Sequence, residues 1–136
     1  MPQMIFVNLP VKDLEASKSF WTTLGYSFNP QFSDDTTACL VISDTIFAML
    51  LTEPRFKEFT APGKEIADAT KSSEVLIALS AESREKVDEL ADGALAAGGS
   101  PAKDPIDYGT MYGRSFSDVD GHHWEVVWMD PAVVQG

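Results

Sequence analysis

The feature that most constrains the fold is a pattern that occurs twice along the chain. Each copy predicts a short apolar strand, an amphipathic helix and then three further strands. The copies are offset by about 70 residues, so that the strand starting at Met4 corresponds to one starting at Glu74. Few side chains are identical between them, and the repeat is therefore one of pattern. It predicts an α+β protein built from tandem β-α-β-β-β modules.

The first module is expected to span residues 1–53. Its opening run, residues 4–9, is apolar, ends before Pro10 and is typical of a buried strand. Asp13 can cap the helix that follows, and Gly25 can end it, because glycine enters the left-handed conformation freely. Three more strands are expected at residues 26–30, 38–42 and 45–52. Residues 54–73 contain two prolines and charges of both signs, which indicate a linker with a helical turn at 55–59.

The second module is expected to span residues 74–136. It begins with an apolar strand at 74–79, and either Ser80 or Ser83 can cap the following helix. The Gly98-Gly99 pair ends that helix. Three strands are expected at residues 101–107, 111–117 and 123–129. Between the last two, Asp120-Gly121 predicts a two-residue turn of the primed type.

Composition excludes several classes of partner. The net charge of −11 argues against nucleic acid, whose phosphates are bound mainly by lysine and arginine. No run approaches the ~20 apolar residues of a membrane span, so no membrane partner is expected. The one cysteine, Cys39, cannot form an internal disulfide and suits a reducing compartment. With 136 residues and 44% hydrophobic side chains, the chain is expected to be a single cytoplasmic domain.

Two stretches of sequence resemble the vicinal-oxygen-chelate superfamily, which includes glyoxalase I, bleomycin-resistance proteins and dioxygenases. Residues 6–25, FVNLPVKDLEASKSFWTTLG, are similar to its opening strand and helix, and residues 118–125, DVDGHHWE, to its closing hairpin. The resemblance covers essentially the whole chain and is strongest to the branch described as "predicted lactoylglutathione lyase-related". It implies an open, barrel-like mixed sheet with a pocket for a small-molecule ligand, and a homodimer.

The resemblance also implies four places for metal ligands. Catalytic members hold a divalent metal through one residue from the first and one from the last strand of each module. In this sequence those places fall at Phe6, Met49, Leu76 and Glu125. Catalytic metal sites need at least three nitrogen, oxygen or sulfur donors, and only Glu125 offers a strong one. No cofactor is therefore expected, and a divalent metal would require ligands beyond these four.

Other polar residues are candidates for the same site. Strand alternation places His123 on the same face as Glu125, where the two could work as an acid–base pair. Alternatively, His123 lies partly solvated at the end of the strand. Asn8 shares a face with Phe6 and could bind a ligand or be satisfied within the sheet.

Tyr112 and Arg114 follow a glycine-containing turn, and the planar fork of Arg114 suits an anionic group on a ligand. The alternative for Arg114 is an ion pair with one of the many acidic residues.

These patterns lead to two functional hypotheses. The first is a glyoxalase/bleomycin-resistance-like protein that binds or sequesters an apolar or cationic small molecule. Its expected ligand contacts are Asn8, Phe6, Met49, Leu76, Tyr112 and Arg114. The second is a lyase or related enzyme that acts through Glu125, with or without His123. It would depend on a metal only if further ligands exist.

Overall fold

The computed structural model describes residues 2–135, which form two compact units, one ending at Asp68 and the other beginning at Ala69. Each unit contains one mixed sheet and a helix packed on it. Within residues 2–135, no helix has both the length and the apolar character needed to cross a bilayer. The fold is therefore α+β with two open sheets, as the repeated pattern predicts, and the module boundaries at residues 53 and 74 stay a prediction.

The first unit carries a four-stranded sheet. Its elements are β1 (Ile5–Val11), α1 (Leu14–Thr23), β2 (Ser27–Phe28), β3 (Thr37–Val41), β4 (Ile46–Thr52) and α2 (Glu53–Lys57). The strand order is β1-β4-β3-β2, with β1 parallel to β4 and the other pairs antiparallel. α1 begins where predicted, because the Asp13 carboxylate accepts a hydrogen bond from the backbone nitrogen of Ala16 at 3.1 Å. Its apolar stripe packs on β3 and β4.

The second unit carries a five-stranded sheet. Its elements are β5 (Leu76–Ser80), α3 (Arg84–Ala96), β6 (Ser100–Pro101), β7 (Ile106–Asp107), β8 (Met111–Ser117), β9 (His123–Met129) and α4 (Pro131–Gln135). The order is β5-β9-β8-β6, with β7 also paired to β8, and β5 is parallel to β9. Ser83 caps α3 by accepting a hydrogen bond from the backbone nitrogen of Lys86 at 3.1 Å, which decides between the two candidate caps.

Two predicted strands are shorter in the structure. The strand expected at 101–107 is split into β6 and β7, and residues 102–105 between them are not in the backbone ladder with β8. Pro105 has no backbone N–H to donate to a ladder, which favours the break. The strand expected at 26–30 ends at Phe28, because the Asn29 side chain accepts a hydrogen bond from the backbone nitrogen of Gln31 and starts a 3-10 turn at Pro30–Phe32.

The turn between β8 and β9 differs from the predicted one. A primed two-residue turn needs positive φ at both central positions, but no described residue other than glycine has positive φ. Instead, residues 119–121 form a three-residue loop closed by a 3.0 Å hydrogen bond from the Asp118 nitrogen to the His122 carbonyl. Gly121 takes the left-handed position with φ of 91°. A Cβ there would also lie 3.0 Å from the backbone nitrogen of Thr70, so both the backbone conformation and the close approach favour glycine.

Candidate functional site

The second sheet has one face covered by α3 and one face, called here the open face, that α3 leaves uncovered. Trp124 and Val126 of β9 are fully buried on the α3 side. Because successive side chains of a strand point to opposite faces, His123, Glu125 and Val127 lie on the open face. The predicted common face of His123 and Glu125 is therefore present.

His123 and Glu125 are in direct contact on this open face. The His123 Nε2 atom lies 3.0 Å from Glu125 Oε2. The side chain of His123 is only 13% exposed and that of Glu125 is 33% exposed, so the pair is partly shielded from water. His123 is the first residue of β9 and is bonded to Glu125 with little of its side chain exposed, so a role of the two as an acid–base pair stays a prediction. The arrangement can hold or transfer a proton between the two groups.

Glu125 lies in an open depression within the second unit. Its other lining residues are the apolar Ile106, Met111 and Val127, Gly113, the hydroxyl-bearing Ser115, and the charged Lys103, Asp104 and Arg114. Ser115 is the cross-strand partner of Glu125. Small-molecule sites combine apolar walls with a few polar or charged groups, and this depression has both.

Part of this depression could be found from the sequence and part could not. Alternation along β8 puts Met111 and Ser115 on one face, so both could have been identified once that strand was assigned. Ile106 could not, because β7 has only two residues and its position depends on pairing with β8.

Leu76 borders the same face from β5. It is in register with His123, two residues before Glu125, and it is 61% exposed. Ala78 is the partner of Glu125 itself. The strand neighbouring the carboxylate therefore presents apolar side chains with no metal donor.

The first sheet repeats this register. Phe6 is in register with Phe47, two residues before Met49, which is the relation found in the second sheet. The Phe6 ring stacks on that of Phe47 with centroids 5.1 Å apart and is 47% exposed. Asn8, the partner of Met49, donates a hydrogen bond to the Phe6 carbonyl at 3.3 Å. The predicted position of Phe6 and Met49 beside Glu125 stays a prediction.

The residues at the four ligand places do not fit a catalytic divalent metal. Register makes the first-strand places, Phe6 and Leu76, equivalent to each other, and likewise the last-strand places, Met49 and Glu125. Phenylalanine and leucine have no donor atom, and a thioether is a poor ligand for hard or borderline cations. Among residues 2–135, no group of three or more histidine, cysteine, aspartate or glutamate side chains is placed to hold a metal ion.

Tyr112 and Arg114 leave the second sheet on the face opposite Glu125, toward α3. The Tyr112 hydroxyl donates to Asp88 at 2.5 Å, and the Arg114 guanidinium bonds Asp88 at 3.1 Å and Asp92 at 2.7 Å. The hydrogen bond from Tyr112, together with that from Arg114, lowers the pKa of Asp88. The ion pair named above as the alternative for Arg114 is the arrangement found, and a ligand contact by either side chain stays a prediction.

Comparison with known proteins supports the same fold. Residues 3–43 match the family model described as bleomycin resistance protein-like N-terminal. The hypothetical protein SA1046 from S. aureus is 31% identical over 94% of this chain and 95% of that chain, with a TM-score of 0.76. No curated protein matches the chain.

More distant structures share the fold alone. A glyoxalase/bleomycin resistance protein/dioxygenase family enzyme from Burkholderia phytofirmans PsJN is 17% identical over 94% of this chain and 99% of that chain, with a TM-score of 0.79. The fosfomycin resistance protein FosX from Mesorhizobium loti is 15% identical over 100% of this chain and 99% of that chain, with a TM-score of 0.69. The chain therefore has the fold of the glyoxalase/bleomycin resistance/dioxygenase structures, and its residues 3–43 match the bleomycin resistance protein-like N-terminal family.

Proposed function

We propose that this protein binds a small molecule with apolar and cationic character, and that the ligand lies in the depression around Glu125. The observation that carries the proposal is the position of Glu125, bonded to His123, beside apolar walls from Ile106, Met111 and Val127. The charged lining residues Asp104, Lys103 and Arg114 balance one another to within one positive charge, so the proposal depends on the direct contact of a cation with Glu125. A carboxylate attracts a cationic group, and apolar walls favour the remainder of a hydrophobic ligand through the area removed from water. The match of residues 3–43 to the bleomycin resistance protein-like N-terminal family is consistent with binding of a small molecule.

The resemblance assigns three of its four metal-ligand places to Phe6, Met49 and Leu76, whose side chains are apolar. This supports a ligand held by Glu125 and by apolar contact, without a metal. The net charge of −11 adds a general attraction for cations that salt would weaken.

A direct test uses two hydrophobic probes of opposite charge. Tetraphenylphosphonium is an apolar cation, and 8-anilinonaphthalene-1-sulfonate is an apolar anion. Glu125→Gln should weaken binding of the cation about tenfold, because a charge-assisted contact is lost while the apolar walls stay in place. Binding of the anion should not weaken and should become tighter, because Glu125→Gln removes a repelling charge. Isothermal titration calorimetry measures both affinities.

Glu89→Gln is the matched control for that experiment. Glu89 lies on α3, on the other side of the same sheet, and pairs with Lys86 at 3.2 Å. Its substitution removes the same charge without touching the depression. An equal loss of cation affinity in both variants would indicate a net-charge effect and would contradict a specific role for Glu125.

A second candidate function is favoured by the 3.0 Å contact between His123 and Glu125. Such a pair could move a proton in a lyase or related reaction. The test is turnover of the hemithioacetal of methylglyoxal and glutathione, with His123→Gln and Glu125→Gln as separate variants. Turnover lost in both would support this candidate, whereas no turnover by the wild-type protein would leave ligand binding as the function.

A further inference from the structure

One wall of the depression is an exposed stretch of chain. Residues 103–110, called here the wall segment, connect β6 to β8 and are all exposed. Within the segment the two residues of β7 pair with β8 in a ladder, and the far end is held by backbone hydrogen bonds of 2.8 Å from the Tyr108 nitrogen to the Met111 carbonyl and from the Asp130 nitrogen to the Thr110 carbonyl. Exposed chain with few ladder hydrogen bonds opens readily, so the position of this wall depends on other contacts.

The first of these contacts lies at the start of the wall segment. The Ser115 hydroxyl accepts a hydrogen bond from the backbone nitrogen of Lys103 at 2.9 Å and donates one to its carbonyl at 3.4 Å. This contact is local to the lining of the depression, since Ser115 is the partner of Glu125.

The second contact comes from α3. The guanidinium of Arg84, the first residue of that helix, bonds both carboxylate oxygens of Asp107, with Nη1 3.2 Å from Oδ1. The same guanidinium lies over the ring of Tyr112, 4.5 Å from its centroid, and 5.8 Å from that of Trp128. Asp107 Oδ1 also accepts from the Gly109 nitrogen at 2.9 Å. A two-pronged ion pair backed by an aromatic ring fixes the orientation of both groups.

The ionisation of this pair agrees with the geometry. The hydrogen bond to Asp107 raises the pKa of Arg84, and the hydrogen bond from Arg84 lowers the pKa of Asp107. Both groups therefore keep their charges over a wide range of pH.

The position of Asp107 links this pair to the depression. Asp107 is in register with Tyr112, whose side chain faces α3, whereas Ile106 is in register with Gly113 on the open face. Neighbouring residues of a strand point to opposite faces. A contact that holds Asp107 on the α3 side therefore also holds Ile106 on the side of Glu125.

We infer that Arg84 is a positioning residue that clamps the wall segment from the far side of the sheet, and that this clamp sets the affinity for a ligand. Arg84 does not touch the ligand in this arrangement. It acts through Asp107 on Ile106. The inference rests on the proposed function, because it assumes that the ligand lies against Ile106.

The test combines hydrogen–deuterium exchange with probe binding for Arg84→Gln. Exchange in residues 103–110 should become about fivefold faster, which is the upper range for a single exposed ion pair. The affinity for tetraphenylphosphonium should fall by a similar factor, through faster dissociation. Asp107→Asn should reproduce both effects, and the double variant should be no worse than either single one, since each substitution breaks the same clamp.

Arg55→Gln is the matched control. Arg55 pairs with Glu58 at 2.9 Å and lies 4.7 Å from the centroid of the Phe59 ring. Its substitution therefore removes an ion pair and a ring contact of the same kinds, but in the first unit. It should leave exchange in residues 103–110 unchanged. If Arg84→Gln fails to fold, Arg84→Lys, which keeps the charge and loses the fork, takes its place with a smaller expected change.

The exchange measurement tests the clamp, and the binding measurement tests the proposed function. Unchanged exchange in residues 103–110 would overturn the clamp, whether or not the probe binds. Faster exchange with wild-type affinity would overturn the link between the clamp and the ligand. If the wild-type protein binds no probe, the proposed function fails, and the role of Arg84 in ligand affinity fails with it, while the exchange result alone decides whether the clamp exists.

Discussion

Asp118 is a buried carboxylate at the start of the loop between β8 and β9. Its Oδ1 accepts hydrogen bonds from the backbone nitrogens of Asp120 and His122 at 2.9 and 3.0 Å, and its Oδ2 accepts one from the indole nitrogen of Trp124 at 2.9 Å. Burial raises the pKa of Asp118 despite these bonds. The residue therefore organises the loop that starts β9, and with it the strand that carries His123.

We expect Asp118→Asn to lower the free energy of unfolding by about 1–3 kcal/mol near pH 5, because an amide turned toward the Trp124 indole presents a donor to a donor. Urea unfolding followed by tryptophan fluorescence measures the change. Asp35→Asn, at an exposed position, is the control and should cost less than about 0.5 kcal/mol. Equal effects in the two variants would contradict a special role for the buried carboxylate.

The same substitution has an expected pH dependence. A carboxyl whose pKa is raised in the folded state binds its proton more readily there, so it stabilises the fold below that pKa and loses this stabilisation as the pH rises through it. The asparagine variant lacks this effect. The difference in free energy of unfolding between the wild-type protein and Asp118→Asn should therefore narrow as the pH rises, and a widening difference would contradict the raised pKa.

The helix α3 sets the geometry of the second sheet and also supplies Arg84. Its buried side chains, Val87, Ala91 and Ala94, recur at helical spacing and pack on β8 and β9. Its first turn is stabilised by the Ser83 hydroxyl, which accepts from the nitrogen of Lys86. The start of this helix determines where Arg84 can reach.

We expect Ser83→Ala to cost about 1 kcal/mol in free energy of unfolding, since a cap hydrogen bond is lost. Ser80, the other serine able to cap by sequence, lies exposed at the end of β5 and serves as the control. Ser80→Ala should change the free energy of unfolding by less than about 0.5 kcal/mol. Chemical denaturation of both variants compares them, and a larger loss in Ser80→Ala would contradict the assigned cap.

For the whole chain, the repeat makes a prediction about metal ions. The two sheets share one register, yet only the second presents two strong donors, His123 and Glu125, on its open face. We expect Zn²⁺ or Ni²⁺ to leave the Tm of the wild-type protein unchanged, and removal of metal by a chelator to do the same. A metal that does bind, at a free concentration 100 times its Kd, would stabilise the fold by about 2.7 kcal/mol. A change of that size would be visible in thermal unfolding.

Leu76→His provides the positive control for that measurement. Leu76 is in register with His123, so this substitution adds a third donor beside His123 and Glu125 in the same sheet. Three donors are the minimum of most catalytic sites. The variant should gain a metal-dependent rise in Tm that the wild-type protein lacks, and a rise in the wild-type protein would show that ligands outside the four places exist.

Much of the architecture follows from local sequence patterns. The cap at Asp13 and the bounds of β8 and β9 were predictable, because caps and strand alternation depend on residues close together in the chain. For α3 the sequence offered Ser80 or Ser83, and the structure decides for Ser83. The shared face of His123 and Glu125 follows for the same reason, since two residues of one strand separated by one position point the same way. The resemblance to the superfamily rests on residues 6–25 and 118–125, which can be compared directly from the sequence.

The long-range contacts could not be predicted from the sequence. Whether Arg114 faces Glu125 or α3 depends on which face of β8 the helix covers, and its pairing with Asp88 joins residues 26 positions apart. The clamp between Arg84 and Asp107 spans 23 positions, and Ile106 reaches the depression only through the pairing of β7 with β8. Such contacts form only when separate elements pack together. Their formation depends on the packing free energy of the whole fold, so they cannot be predicted from a local stretch of sequence.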